Sequence, residues 1–166
     1  MSFRVALATL ALALDSSFAL AQGAEIAFGA LAHDRTQPVE VTAERLSVDQ
    51  TDGTAVFTGG VLVGQGDMRL SADQVLVVYD SPEAASRRIA RMEASGKVVL
   101  ALGAEAAEAE RAVYTIDSGT IVMTGSVLLT QGQSAISGER LVVDLNRGTG
   151  AMEGRVRTVL QPGGAQ

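Results

Sequence analysis

Phe57-Thr58-Gly59-Gly60-Val61 returns three times along the chain, as Ala94-Ser95-Gly96-Lys97-Val98, Met123-Thr124-Gly125-Ser126-Val127 and Met152-Glu153-Gly154-Arg155-Val156. A second pattern, a small residue followed by an acid and then alternating apolar positions, recurs in step with it. It reads Ala43-Glu44-Arg45-Leu46-Ser47-Val48, Ala72-Asp73-Gln74-Val75-Leu76-Val77, Ala109-Glu110-Arg111-Ala112-Val113-Tyr114 and Gly138-Glu139-Arg140-Leu141-Val142-Val143. The acids are 29, 37 and 29 residues apart and the glycines 37, 29 and 29. One polar insertion of 8 residues, 81–88, accounts for both irregularities. Two patterns that keep the same register four times define four repeats of about 29 residues: 43–71, 72–108, 109–137 and 138 onward.

Within a repeat the period is two. Large apolar residues fall at even offsets from the glycine, as in Phe57, Val61 and Val63, with small or polar residues between them. This is the signature of a strand with one buried face. After each acid the buried positions are +2 and +4, but upstream the apolar residue sits at −3 (Val41, Leu70, Ala107, Ile136). One straight strand cannot carry that odd separation, so a bulge or corner is expected at the small-acidic pair. Turn sequences such as Thr51-Asp52-Gly53 and Asn146-Arg147-Gly148 separate the strands. The expected fold is all-β, an antiparallel meander of about thirteen short strands that closes as a barrel, sandwich or open jelly roll. The stretch 103–112 is rich in Ala and Glu and taken alone reads as helix; the repeat register makes it strand.

Composition narrows the function. The chain of 166 residues has no Cys, no Trp and one His, His33, in a polar lead-in. Thiol chemistry, Cys-based metal sites and multi-His sites are removed, leaving no metal, cofactor or catalytic constellation to propose. The four recurring acids, Glu44, Asp73, Glu110 and Glu139, read as corner-formers, because they occupy the same repeat position. A net charge of −6 offers no basic footprint for nucleic acid. The inward face is aliphatic and poor in aromatics, which suits flexible hydrocarbon better than sugars or bases. At the N-terminus, Arg4, the apolar run 5–14 and Ala19-Leu20-Ala21 read as an export signal at 1–21 that is cleaved, placing the mature chain in the periplasm. A polar lead-in, 22–37, precedes the repeat domain at 38–162, and 163–166 is a short tail.

Gln37-Pro38-Val39-Glu40-Val41 running into Ala43-Glu44, the block 57–66 followed by Leu70-Ser71-Ala72-Asp73, and Val122-Met123-Thr124-Gly125-Ser126-Val127 together resemble the LptA/OstA-like family of periplasmic lipopolysaccharide-transport proteins. The likeness covers about residues 37 to 162. It implies a V-shaped β-jelly roll, open along one side, with an apolar trough that carries lipopolysaccharide from an inner-membrane extractor to an outer-membrane translocon. It also implies head-to-tail self-association and no enzymatic activity. On that pattern the lipid-binding candidates are Val39, Val41, Phe57, Val61, Val63, Val75, Val77, Val98, Leu100, Val127 and Leu129, holding the acyl chains of lipid A. The candidate assembly edges are Val39 and Val41 at one end and Val156 and Thr158 at the other. The competing reading is an exported, polymerising structural β-repeat protein whose aliphatic stripe is ordinary core and carries no lipid.

Overall fold

A computed structural model describes residues 24–27, 36–80 and 88–160. The export signal at 1–21, His33, the tail at 163–166 and nearly all of the 81–88 insertion lie outside the described residues. The strands are β1 (Ala24–Ala27), β2 (Glu40–Thr42), β3 (Arg45–Asp49), β4 (Thr54–Gln65), β5 (Met68–Tyr79), β6 (Ile89–Leu102), β7 (Glu105–Thr115), β8 (Thr120–Gln131), β9 (Ser134–Asp144), β10 (Thr149–Glu153) and β11 (Arg157–Val159). The described residues thus form eleven strands rather than about thirteen, because β4 to β9 each run on through their corner instead of breaking there. All pairings are antiparallel, in the order β1-β10-β9-β8-β7-β6-β5-β4-β2, with β3 also on β4 and β11 also on β9.

The six long strands do not lie flat. Register shifts at Thr58/Val61, Ser71/Gln74, Ser95/Val98, Glu108/Arg111 and Thr124/Val127 fall in line across the sheet. They fold it into two layers. Layer A holds β3, β10, β1 and the halves 54–58, 74–78, 89–95, 111–115, 120–124 and 140–144. Layer B holds β2, β11 and the remaining halves. The first strand (β2) and the last (β1) in the pairing order are not joined to each other, so this is an open jelly roll rather than a closed barrel.

The corner explains both sequence patterns. Gly59 and Gly60 take φ of +86° and +52°, and the same pair of left-handed residues occurs at Gly96/Lys97, Gly125/Ser126 and Gly154/Arg155. Two successive left-handed residues turn the strand out of its plane. At the first position a side chain is excluded: a Cβ on Gly59 would lie 2.6 Å from Glu44 Oε2 and 2.8 Å from Glu44 Cβ. Asp73 covers Gly96, Glu110 covers Gly125 and Glu139 covers Gly154 in the same way. At the second position of the first corner, a Cβ on Gly60 would meet nothing within 4 Å, which accounts for Lys, Ser and Arg standing there in the others. The main chain stays paired through the bend, with the Glu44 and Glu139 N–H groups donating to the Gly59 and Gly154 carbonyls at 3.1 Å.

Where a glycine strand meets the following acid strand, one rule sets the register. The residue before the glycine pairs with the residue after the acid (Thr58–Gln74, Ser95–Arg111, Thr124–Arg140). The residue two beyond the glycine pairs with the one before the acid (Val61–Ala72, Val98–Ala109, Val127–Gly138). The helix-like composition of 103–112 yields to this register: β7 is strand, and inward Ala107 lies between Leu100 and Leu129 on its neighbours. A small residue between two leucines serves packing better than it serves local propensity.

The corner predicts a graded mutational response. Gly132 has φ of +56° and open space, so Gly132→Ala is expected to lower stability by about 1 kcal/mol. Gly125→Ala adds the collision with Glu110 and is expected to cost at least about 1 kcal/mol more, read from the midpoint of chemical denaturation.

Candidate functional site

The inward positions follow directly from strand parity on either side of the corner. In layer B, Val61, Val63, Val98, Leu100, Val127 and Leu129 stand two and four residues beyond their glycines. In layer A, Val75 and Val77 stand two and four beyond Asp73, and Phe57 two before Gly59. Val39 and Val41 lie at the first edge of layer B. The structure brings all eleven predicted residues into one apolar cluster that runs across both layers. Eight of them are 0–1% exposed, while Val39, Val41 and Phe57 pack against the cluster and remain partly accessible. These side chains are thus shielded from solvent between the two layers. Two shallow hollows of about 250 and 300 Å³ lie on the outside, one beside β2 and β4 with Gln37, Glu40 and Arg69, the other at the last corner with Ser126, Gly154 and Arg155. Of the eleven residues only Val127 touches either.

Sequence reasoning missed a polar link between the layers. Gln65, the last residue of β4 in layer B, is 2% exposed and is the one buried amide side chain among the described residues. Its Oε1 accepts a 2.9 Å hydrogen bond from the Tyr114 hydroxyl in layer A, and its Nε2 donates to the Gln37 carbonyl at 3.0 Å. Gln65 sits six residues past Gly59, an even offset, so parity marks it as inward; its neighbours Gly64 and Gly66 draw the eye to a turn instead. Gln131 occupies the matching position past Gly125 and donates to Glu105 Oε1 at 3.0 Å. The ends of layer B thus give the apolar interior a polar rim.

The two ends of the jelly roll are unfinished. Leu46 and Val48 hold the positions that Val75 and Val77 hold one repeat later, yet they are 56% and 53% exposed where the latter are 0% and 1%. At the other end Val156 and Leu160 are 39% and 70% exposed, and β11, including Thr158, is exposed throughout. Outer-face cations pair locally: Arg88 with Asp80 at 3.1 Å, Arg91 with Glu93 at 2.7 Å and Arg140 with Glu153 at 2.6 Å. Such exposed pairs contribute little to stability. Among the described residues no group of three or more His, Cys, Asp or Glu is gathered as a metal site.

Comparison with known proteins bears on this geometry. The family model described as LptA/(LptD N-terminal domain) LPS transport protein matches residues 40–149. An uncharacterised protein of Rhizobium meliloti is 32% identical over 127 residues, which cover 74% of this chain and 68% of that one. The lipopolysaccharide export system protein LptA of Escherichia coli K12 is 32% identical over 83 residues, 50% of this chain and 43% of that protein. The likeness to LptA thus spans less than half of that protein's length. The crystal structure of LptH from Pseudomonas aeruginosa superposes with a TM-score of 0.69 at 22% identity, covering 78% of this chain and 99% of that one, a likeness of fold. With the match of the family model across most of the β-sheet, the chain belongs to the LptA/LptD N-terminal-domain family of LPS transport proteins.

Proposed function

We propose that the chain is a periplasmic carrier that shelters the acyl chains of lipopolysaccharide between its two layers and passes them along a row of copies joined edge to edge. The observation that carries this reading is the unbroken aliphatic lining inside a sheet whose ends are unjoined. Each methylene taken from water contributes roughly 0.8 kcal/mol, so a chain of about a dozen carbons supplies on the order of 10 kcal/mol before ordering costs. The layers part for the lipid to enter, and hydrocarbon takes the place of the side-chain packing between them. A long, uniform aliphatic surface makes neighbouring positions nearly equal in energy, so the lipid slides rather than being trapped. The polar rim at Gln65, Gln131 and Glu105 suits a cargo with an apolar body and a polar head. The export signal read in the sequence, and the periplasmic setting stated for LptH, support the compartment. Inner- and outer-membrane lipopolysaccharide-transport proteins with matching edges are the partners this row would meet.

The internal register rule extends to the ends. Applied to Gly154 and to Glu44 of a second copy, it sets Val156 opposite Ala43 and Thr158 opposite Val41. It also sets Glu153 opposite Arg45, two opposite charges facing across the joint. Leu46, Val48 and Val156 are the side chains such a joint would cover.

Three outcomes are expected. Photoreactive residues in place of Val41 or Val63 yield lipopolysaccharide adducts in living cells, while Thr58 on the opposite face yields none; a folded, exported protein without adducts from either face makes the stripe ordinary core and favours the structural-polymer reading. Tyr114→Phe removes the bond between the layers, lowers stability by about 1–2 kcal/mol and speeds lipid loading in a crosslinking time course. Thr42→Cys on one copy and Arg157→Cys on another, neighbours in the extended register, form an intermolecular disulfide, whereas Thr42→Cys with Val159→Cys does not.

A further inference from the structure

The strand β1 lies at an unexpected place. Its residues come from the N-terminal lead-in, but they pair with β10 at the opposite end of the sheet, far along the pairing order from β2. The register is Ala24–Met152, Glu25–Ala151, Ile26–Gly150 and Ala27–Thr149. At every internal junction the residue two before the glycine pairs with the residue two after the acid: Phe57–Val75, Ala94–Ala112 and Met123–Leu141. The residue four before pairs with the residue four after: Ala55–Val77, Met92–Tyr114 and Ile121–Val143. Extended across a joint between copies, that rule places Leu46 of the next copy opposite Met152 and Val48 opposite Gly150. Those are the places that Ala24 and Ile26 fill, in the same antiparallel sense. Ile26 is 6% exposed there, whereas Val48, with no strand beyond it, is 53% exposed.

We infer that β1 is a self-cap: a strand of the chain's own that occupies the β3 docking place on its C-terminal edge and must leave before a second copy can seat. This rests on the edge-to-edge reading above and adds its regulation. Only half of the edge is covered, because β1 pairs with β10 in layer A while β11 in layer B stays exposed along its length. An incoming copy therefore has a free foothold, its β2 on β11, and then displaces β1 strand for strand, exchanging one set of ladder hydrogen bonds for an equal set. The cap keeps an isolated copy from presenting a complete edge and raises the concentration needed for growth of the row.

The test is sedimentation velocity on the mature chain over a range of concentrations. Ile26→Asp puts a charge at a buried position and releases β1; it is expected to associate at a concentration at least about tenfold lower than the parent. Glu25→Cys with Ala151→Cys, opposed in register and introduced into a chain with no other cysteine, locks β1 in place when oxidised. The oxidised protein is expected to stay monomeric where the reduced protein associates, and this comparison holds even if the aspartate variant folds poorly. Equal association of parent, Ile26→Asp and oxidised lock overturns the self-cap and leaves the edge-to-edge reading standing. If all of them, the reduced lock included, stay monomeric at the highest concentration, the edge-to-edge reading fails and the self-cap with it.

Discussion

An acidic side chain lying over a left-handed glycine is the contact on which this architecture depends. A flat antiparallel sheet of this width would expose one whole apolar face, whereas bending every strand at the same level lets that face cover itself. The bend needs a residue with positive φ and no Cβ on one strand, and a side chain to cover it from the next. Glu44 over Gly59, Asp73 over Gly96, Glu110 over Gly125 and Glu139 over Gly154 supply both in one contact. Because each contact lies between the two strands of a single repeat, the line of corners is assembled from local pieces. Neighbouring repeats then need only keep their register for the fold line to be continuous.

The interior that results is a core and a candidate binding surface at once. Its side chains are as buried as those of any ordinary core, yet from β2 onward the two layers are covalently joined only through the corners, and β2 and β1 at the ends of the pairing order do not pair with each other. Most of what holds the layers face to face is non-directional apolar contact, which hydrocarbon can replace almost without loss. The Tyr114–Gln65 bond is different in kind. It is directional, buried, and has no equivalent in a lipid tail, so on the proposed carrier reading it is the contact that favours the empty protein with its layers together.

Much of this was legible in the sequence because two motifs had to be counted together. Parity identified the inward residues, the odd separation around the acids announced a bend, and repeat register overruled the helical composition of 103–112. The bend falls at the small-acidic pair as its spacing requires, with register shifts at Ser71/Gln74 and Glu108/Arg111, but the left-handed residues that accompany it lie on the paired glycine strand, which spacing alone does not reveal. Gln65 escaped because a single polar residue between two glycines looks like a turn. Strand β1 escaped because Ala24-Glu25-Ile26-Ala27 is too short to show a period, and its partner is more than a hundred residues away. Periodicity also gives the direction in which a side chain points and says nothing of the width of the gap it faces.

The second residue of each corner has one more consequence. Gly60, Lys97, Ser126 and Arg155 fall on the outer fold line, free of the constraint that holds the first residue to glycine. Successive members of this column are two strands apart, or about 10 Å at ordinary sheet spacing. They form a graduated scale along the spine of the molecule, on a chain with no native cysteine to compete for a probe. Curvature of the spine, and the angle at which one molecule continues into another, are thereby readable as distances between marks that the fold itself has set at regular intervals.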